Sequence, residues 1–355
     1  ALMLCMVMAI TCLSACGAEP APNADVKAPE VTDPVSENND DNADDDTYIP
    51  DATDEDAAVE YVGINIASMK GPTTMGMVKL MDNSESGASE GSYNVTIYGT
   101  ADEIVPLIVS GEADIANVPC NLASVLYKKT EGKIAVININ TLGVLYIVEN
   151  GESVHSMADL KGKTIVAAGK GSTPEYALRY LLTENGIDPD NDVTIDWKSE
   201  HSECVAALAS GQTSIALLPQ PFVTVAQSKI EGLRMALDLN AEWDALDNGS
   251  ALITGVIVAR RAVVEENPAA VEAFLKDYAA SVDWVNANTA DAAALIGEYS
   301  IVDAAVAEKA LPYCNIVCLM GANLLEALPG YLEVLYNASP AAVGGEMPDN
   351  SFYFA

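Results

Sequence analysis

A regular alternation of short apolar strands and amphipathic helices is the feature that most constrains how this chain can fold. A first series predicts strands at residues 61–68, 93–98, 114–118 and 134–139, with helices at 72–82, 101–110 and 122–129. A second series, which begins near Ser156, predicts strands at 164–168, 193–197 and 214–218, with helices at 175–185, 203–210 and 222–229. Such alternation is typical of a parallel sheet covered by helices, so we expect two α/β lobes.

Two apolar, β-rich segments at 142–149 and 252–260 link the two series, and we interpret them as crossings that form a hinge. After Arg261 the pattern becomes helical. We expect these helices to cover the first lobe with apolar stripes, although an interaction helix is the alternative. The helices are predicted at 268–286, 290–298, 303–310 and 322–336. The resulting division places 61–144 and 255–355 in lobe one and 145–254 in lobe two.

The N-terminal region has a different character. Residues 2–15 are almost wholly apolar and end in Leu-Ser-Ala-Cys, which resembles the bacterial lipobox. We therefore interpret 1–15 as a lipoprotein signal peptide whose true start, with its basic region, lies upstream, and Cys16 as the lipidated residue. A plain secretory signal or a buried helix is the alternative.

Residues 16–60 are rich in Asp, Glu, Asn, Pro and Ala, with Lys27 as the only basic residue. Such a segment buries too little apolar surface to offset its ordering entropy, so we expect a disordered acidic tether. The clusters Asp40-Asp41 and 44–46 lack the alternating ligands and central glycine of an EF-hand loop, which argues against a calcium site.

Charge and cysteine usage exclude several classes of function. The formal net charge of −35 opposes binding to nucleic acid, which requires clustered Lys and Arg. The acidic balance favours an extracytoplasmic protein. Since no basic amphipathic helix suggests membrane insertion, we expect it to contact the membrane through its lipid only. Cys314 and Cys318 could pair in an oxidising compartment, although their spacing disfavours a disulfide if both lie on a regular helix. We expect the four cysteines of the folded part to act mostly as small hydrophobic residues. These four are Cys120, Cys204, Cys314 and Cys318.

Two strand-to-helix turns carry the candidate binding chemistry, one at residues 68–76 and one at 169–175. Pro72 suits the first position of a helix, and Ser172 or Thr173 suits an N-cap. Helix N-termini present free N–H donors, so two of them facing across a cleft would clamp a polar solute. The alternative is that each turn merely caps its own helix. Their position at the carboxyl ends of parallel strands favours ligand binding.

Other chemistries find little support in the sequence. Gly169, Gly171 and Pro174 imitate a dinucleotide fingerprint, but proline replaces the third glycine, where close helix packing is needed. His155 and His201 are the only histidines, and we expect both to be solvated surface residues. No nucleophile elbow or paired metal ligands occur, so we expect no metal, no cofactor and no enzymatic activity.

Several motifs together resemble the solute-binding proteins of ABC importers for sulfonates, nitrate, taurine and thiamine precursors. They lie at residues 111–119, 121–123, 126–130, 141–146, 218–222 and 344–348. The resemblance spans roughly 60–355 and implies a type II periplasmic-binding-protein fold. It also implies a monomer that binds a small polar or anionic organic solute, of a sulfonate, nitrate-like or thiamine-pyrimidine-like kind, and delivers it to a permease and its ATPase.

The resemblance further implies which residues line the cleft. The first wall would be formed by Lys70, Gly71, Pro72, Thr73, Thr74, Asn117, Pro119 and Asn121. The opposing wall would be formed by Gly171, Ser172, Thr173 and Pro174, with Gln220 nearby. Many relatives carry glutamate where Gln220 stands, and the change removes a negative charge. A sensory or interaction lipoprotein of the same fold, or an enzyme similar to the thiamine-pyrimidine synthases, is the alternative function.

Overall fold

A computed structural model describes residues 63–354 of the chain. Its strands are β1 (Ile64–Met69), β2 (Tyr93–Tyr98), β3 (Ile115–Pro119), β4 (Ile134–Leu142), β5 (Leu145–Glu149), β6 (Thr164–Ala168), β7 (Thr194–Lys198), β8 (Ile215–Pro219), β9 (Arg234–Asp238), β10 (Ile253–Arg260) and β11 (Ile316–Leu319). Its α-helices are α1 (Pro72–Met75), α2 (Val78–Ser86), α3 (Ala101–Ser110), α4 (Cys120–Lys129), α5 (Thr173–Glu184), α6 (His201–Ala209), α7 (Phe222–Lys229), α8 (Leu239–Asp244), α9 (Arg261–Glu266), α10 (Pro268–Ala287), α11 (Thr289–Glu298), α12 (Ala304–Ala310) and α13 (Gly321–Ala338).

The strands form two separate sheets. The first has the order β11-β4-β10-β3-β1-β2 and the second the order β7-β6-β8-β5-β9. Strands within each series pair in parallel, as β1 does with β2 and β3, and as β6 does with β7 and β8. Both sheets are mixed, because β10 runs antiparallel to β3 and β4, and β5 runs antiparallel to β8 and β9. These antiparallel strands are the ones that enter each sheet from the other.

The chain passes between the sheets twice. It leaves β4 for β5 through residues 143 and 144, and it returns from β9 to β10 through α8 and residues 245–252. Gly143 is held at the first crossing, where its N–H donates to Asn240 Oδ1 at 3.2 Å and its carbonyl accepts from the Asn315 side chain. A Cβ at this position would lie 2.6 Å from Asn240 Oδ1, so the close approach requires glycine.

Helices and the C-terminal segment cover the first sheet. One apolar cluster joins its inner residues, such as Ile66 and Ile257, to Phe274 and Tyr278 of α10. On the other face, residues 339–354 pack against α4, with Phe352 meeting the Tyr127 ring edge-on at 5.2 Å. Within residues 63–354, no helix combines the length and the apolar character needed to cross a bilayer.

Two local predictions differ from the structure in the first lobe. The helix predicted at 72–82 is divided into α1 and α2 by residues 76 and 77. Gly76 lies in close contact with its neighbours, since a Cβ there would lie 2.9 Å from Ile316 and 3.0 Å from the Tyr278 hydroxyl. Cys314 and Cys318 do not share a helix, since Cys314 precedes β11 and Cys318 lies within it, and both are free thiols. The predicted signal peptide, Cys16, the tether and its acidic clusters lie outside the described residues.

Candidate functional site

The first strand-to-helix turn is folded inward. Gly71 is buried with a φ of 130°, a left-handed-region value that favours glycine, and it leads directly into α1. The hydroxyls of Thr73 and Thr74 both donate to Met69 O, at 2.8 Å and 2.5 Å. Both threonine side chains are buried, so their donors are already used within the turn.

Beneath this turn lie two buried asparagine amides. Asn117 of β3 and Asn140 of β4 both donate from Nδ2 to the carbonyl oxygen of Thr73, at 3.0 Å and 3.3 Å. Asn117 also donates to Ser68 Oγ at 2.8 Å. A backbone carbonyl oxygen only accepts, so these bonds fix the orientation of both amides. Each Oδ1 atom is left buried without a hydrogen-bond partner.

More unpaired polar atoms lie at the end of the first sheet where β3 and β4 finish and β10 begins, which we call the edge of the first sheet. Because β10 is antiparallel to β3 and β4, its first residues lie beside the last residues of those two strands. Thr141 and Thr254 lie at this edge, and each has a buried hydroxyl without a partner. Gly255 pairs with Thr141, and a Cβ there would meet Asn140 Oδ1 at 2.5 Å and Thr73 Cγ2 at 2.6 Å.

The second turn is built differently. Ser172 is the N-cap residue of α5, but its hydroxyl donates to Gly169 O at 2.8 Å instead of to a residue of the helix. The Gly171 N–H donates to Glu175 Oε2 at 2.7 Å. A carboxylate from the chain itself therefore occupies a donor that a bound anion would need. Lys170 and Gly171 are exposed.

One predicted pair of residues meets between α4 and α5. Thr173 Oγ1 donates to Asn121 Oδ1 at 3.4 Å, and both side chains are buried. Asn121 Nδ2 in turn donates to Ala342 O at 3.5 Å, which links this contact to the C-terminal segment. Burial raises the pKa of the adjacent Tyr331 well above its ordinary value, and the Thr173 hydroxyl opposes that rise. Tyr331 also packs against Trp243, with ring centroids 5.5 Å apart.

Gln220 lies at the corresponding edge of the second sheet. Its N–H donates to Val144 O at 3.0 Å, which places it beside the first crossing. Its side chain is buried, and Oε1 accepts from Thr224 Oγ1 at 2.9 Å while Nε2 has no partner. Gln220 thus adds one more unpaired polar group to those at the edge of the first sheet.

The predicted site residues are therefore not equivalent in their surroundings. The structure brings Thr73 together with Asn117, and Asn121 together with Thr173. It leaves Lys70 exposed and the three prolines half-buried. These prolines are Pro72, Pro119 and Pro174.

Sequence reasoning missed the polar groups that β4 and β10 contribute. They are Asn138, Asn140, Thr141 and Thr254. The alternation Ile-Asn-Ile-Asn at 137–140 was the available signal, because polar residues at every second position of a buried strand share one face unless a bulge intervenes.

The buried part of the chain carries almost no charge. None of the lysines or arginines in residues 63–354 is buried, and Glu149 is the one buried carboxylate there. Burial raises the pKa of Glu149, but hydrogen bonds from Ser153, Val154 and Arg234 outweigh it and hold the pKa below its usual range. This carboxylate is paired with Arg234, so it is not available to a ligand.

The two histidines differ from each other. His155 is exposed as expected. The expectation was wrong for His201, which begins α6 and packs on Phe222 with ring centroids 5.2 Å apart. Burial lowers the pKa of His201 to about 4. Across the described part of the chain, no three His, Cys, Asp or Glu side chains are grouped so that they could hold a metal ion.

Known proteins resemble this chain in both sequence and fold. A solved ABC-transporter structure from Parabacteroides distasonis is 22% identical with a TM-score of 0.69, over 82% of this chain and 99% of that one. The periplasmic aliphatic sulphonate-binding protein SsuA of Escherichia coli is 16% identical with a TM-score of 0.66, over 82% and 92% of the two chains. These likenesses confirm the expected type II periplasmic-binding-protein fold.

A protein of Brucella abortus, named only as a binding protein, is 28% identical over 180 residues, which is 51% of this chain and 54% of that protein. The chain thus spans about half the length of the curated relatives it matches. The family model described as "ABC transporter, phosphonate, periplasmic substrate-binding protein" matches residues 88–310. The chain therefore belongs to this family of periplasmic substrate-binding proteins of ABC transporters.

Proposed function

We propose that this protein captures a small polar or anionic organic solute between two lobes and delivers it to an ABC permease. The observation that carries the proposal is the set of buried, unpaired polar atoms where the two sheets meet the first crossing. Asn117, Asn140, Thr141 and Thr254 contribute them from the first sheet, and Gln220 from the second. Native proteins leave few buried polar groups unsatisfied, because each costs about 1–3 kcal/mol. A solute bonded to these atoms would remove that cost.

Two further features support a cleft that opens and closes. Lobe one would comprise 61–144 and 255–355, and lobe two 145–254, so that only two crossings join them. The Asn121–Thr173 contact lies between these lobes and is a single long hydrogen bond. This hydrogen bond would break when the lobes separate, as would the packing of Trp243 in lobe two on Tyr331 in lobe one. Rotation at residues 143 and 144 and in 245–252 would open the cleft to solvent.

We propose binding and not catalysis, since the chain belongs to a family of substrate-binding proteins. The membrane attachment is a separate proposal that rests on the sequence. Lipidation of Cys16 would hold the protein beside its permease as a monomer outside the cytoplasm. Changing Cys16 to Ser should move the protein from the membrane fraction to the soluble fraction, whereas changing Cys12 to Ser should not. Membrane retention of the Cys16→Ser protein would contradict lipid anchoring.

A thermal-shift screen tests solute capture. The panel would contain alkanesulfonates, alkylphosphonates, taurine, nitrate, bicarbonate, pyrimidines and small carboxamides. We expect at least one class to raise the melting temperature, because a ligand that binds only the folded state stabilises it. Gln220→Leu should abolish that rise. Gln227→Leu, the same change at an exposed position of α7, should retain it. A panel without any stabilising solute would contradict the proposal.

A further inference from the structure

We call the unpaired groups of Asn117, Asn140, Thr141 and Thr254 the first-sheet wall. The hydrogen bonds that this wall can form restrict the kind of solute that it can hold. Thr73 O accepts from both Asn117 Nδ2 and Asn140 Nδ2, so both amides present their oxygen atoms as the unpaired groups. An amide oxygen accepts hydrogen bonds and cannot donate them. The two amide oxygens of this wall therefore need a solute that supplies N–H or O–H donors.

The other unpaired groups at the site do not change this requirement. The hydroxyls of Thr141 and Thr254 can donate or accept. Gln220 can turn either end of its amide outward, because the Thr224 hydroxyl that binds it can also donate or accept. Among these unpaired side-chain groups, only the two asparagine oxygens have a fixed role, and both are acceptors.

No charge is available at this wall to compensate a charged solute. The lysines of the two turns, Lys70 and Lys170, are exposed, and no lysine or arginine within residues 63–354 is buried. Glu175 occupies the Gly171 donor of the second turn. The one buried carboxylate in this part of the chain, Glu149, is paired with Arg234. Burying an uncompensated ion is far more costly than burying a neutral polar group.

We propose that the solute of this site is an uncharged molecule with N–H donors, such as a carboxamide or a sulfonamide, and that the site discriminates against oxyanions. The inference rests on the proposed function and narrows it. An oxyanion would place negative oxygens against two amide oxygens in a buried site without a cation. A neutral N–H donor would instead satisfy the oxygens of Asn117 and Asn140.

Isosteric pairs separate the two classes directly. Acetamide and acetate differ in one terminal group, as do methanesulfonamide and methanesulfonate, and methylphosphonate adds a second oxyanion type. We would titrate each into the ¹⁵N-labelled protein and follow amide chemical shifts, which detects millimolar affinities. Each neutral member should bind about tenfold tighter than its anion, because the anion leaves both buried acceptors unpaired.

A charged variant tests whether the first-sheet wall sets the preference for neutral solutes. Asn140→Asp introduces a negative acceptor, so acetamidinium, the cationic isostere, should gain about tenfold in affinity relative to acetamide. Asn94→Asp makes the same change on exposed β2 and should leave the preference as it is in the unmodified protein. If Asn140→Asp fails to fold, the preference of the unmodified protein still decides the matter.

The outcomes distinguish this inference from the proposed function. Tighter binding of the neutral members supports both. Equal or tighter binding of the oxyanions overturns the inference but leaves solute capture intact. The absence of binding by every member, together with an unresponsive thermal-shift panel, contradicts both.

Discussion

The two strand-to-helix turns have similar sequences but different surroundings. The turn at 68–76 leads into a four-residue helix and is buried against side-chain amides from β3 and β4. The turn at 169–175 leads into a helix of 12 residues, and part of it is exposed. At the second turn a chain carboxylate already accepts the Gly171 N–H donor. A helix terminus binds an anion only if the surrounding side chains leave its donors free.

The largest effect should come from filling the space beneath the first turn. Gly255→Ala would force a Cβ against Asn140 Oδ1 and Thr73 Cγ2, which are held by their own hydrogen bonds. We expect the free energy of unfolding in urea to fall by about 3 kcal/mol. Gly99→Ala is the control, because its Cβ would lie 3.4 Å from Glu103 in ordinary contact. Equal stability of the two variants would show that the first turn is not tightly packed.

Removing one side-chain hydrogen-bonding group that holds each turn compares the two turns directly. Asn117→Ala deletes the buried bonds to Thr73 O and Ser68 Oγ and should cost about 2 kcal/mol of unfolding free energy. Ser172→Ala deletes one half-buried bond to Gly169 O and should cost about 0.5 kcal/mol. Denaturant titration measures both. A Ser172→Ala cost as large as that of Asn117→Ala would remove the distinction between the turns.

The contact between Thr173 of the second turn and Asn121 of α4 should affect binding more than folding. Thr173→Val keeps the side-chain shape but deletes the long hydrogen bond to Asn121. We expect the affinity for a solute identified by the panel to fall a few-fold, or about 1 kcal/mol, in calorimetric titrations. Thr194→Val, on an exposed position of β7, should leave the affinity unchanged. Identical affinities of both variants would mean that Thr173 takes no part in closure.

The smallest effect on stability should come from the Glu175 carboxylate at the second turn. Glu175→Ala removes a negative charge from the first turn of α5 and should destabilise the protein by about 0.5 kcal/mol. Glu184→Ala removes the same charge at the last residue of α5, where the helix dipole makes the carboxylate unfavourable, so the sign should reverse. Thermal unfolding compares the two. Changes of the same sign would show that the dipole plays no role here.

Elements with strong local signals were predicted accurately. The bounds of β2, α3, β6 and α7 agree with the sequence prediction residue by residue. For α3 the reason is local, since Thr100 and Glu103 form a capping box and Gly111 ends the helix in the left-handed region. Short elements such as β9, α8, α9 and β11 were missed, because so few residues hold too little periodicity.

The site was predicted only in part, because local sequence patterns do not show which distant strands pair. Residues near the ends of β1, β3, β6 and β8 could be inferred from the positions of consecutive strands. Asn140, Thr141 and Thr254 could not, because their role depends on β10 inserting antiparallel between β3 and β4. That pairing joins residues more than 100 positions apart, and no local pattern shows it. For the same reason the burial of His201 against Phe222 could not be predicted from its polar neighbours.

A crystal structure of the protein with the tightest-binding solute of the panel would test the proposed site most directly. We predict electron density for the solute between the first-sheet edge and Gln220, with solute donors within hydrogen-bond distance of Asn140 Oδ1. Density instead in the surface groove beside α5 and β7, which Lys170, Arg179 and Trp197 line, would contradict the proposed site.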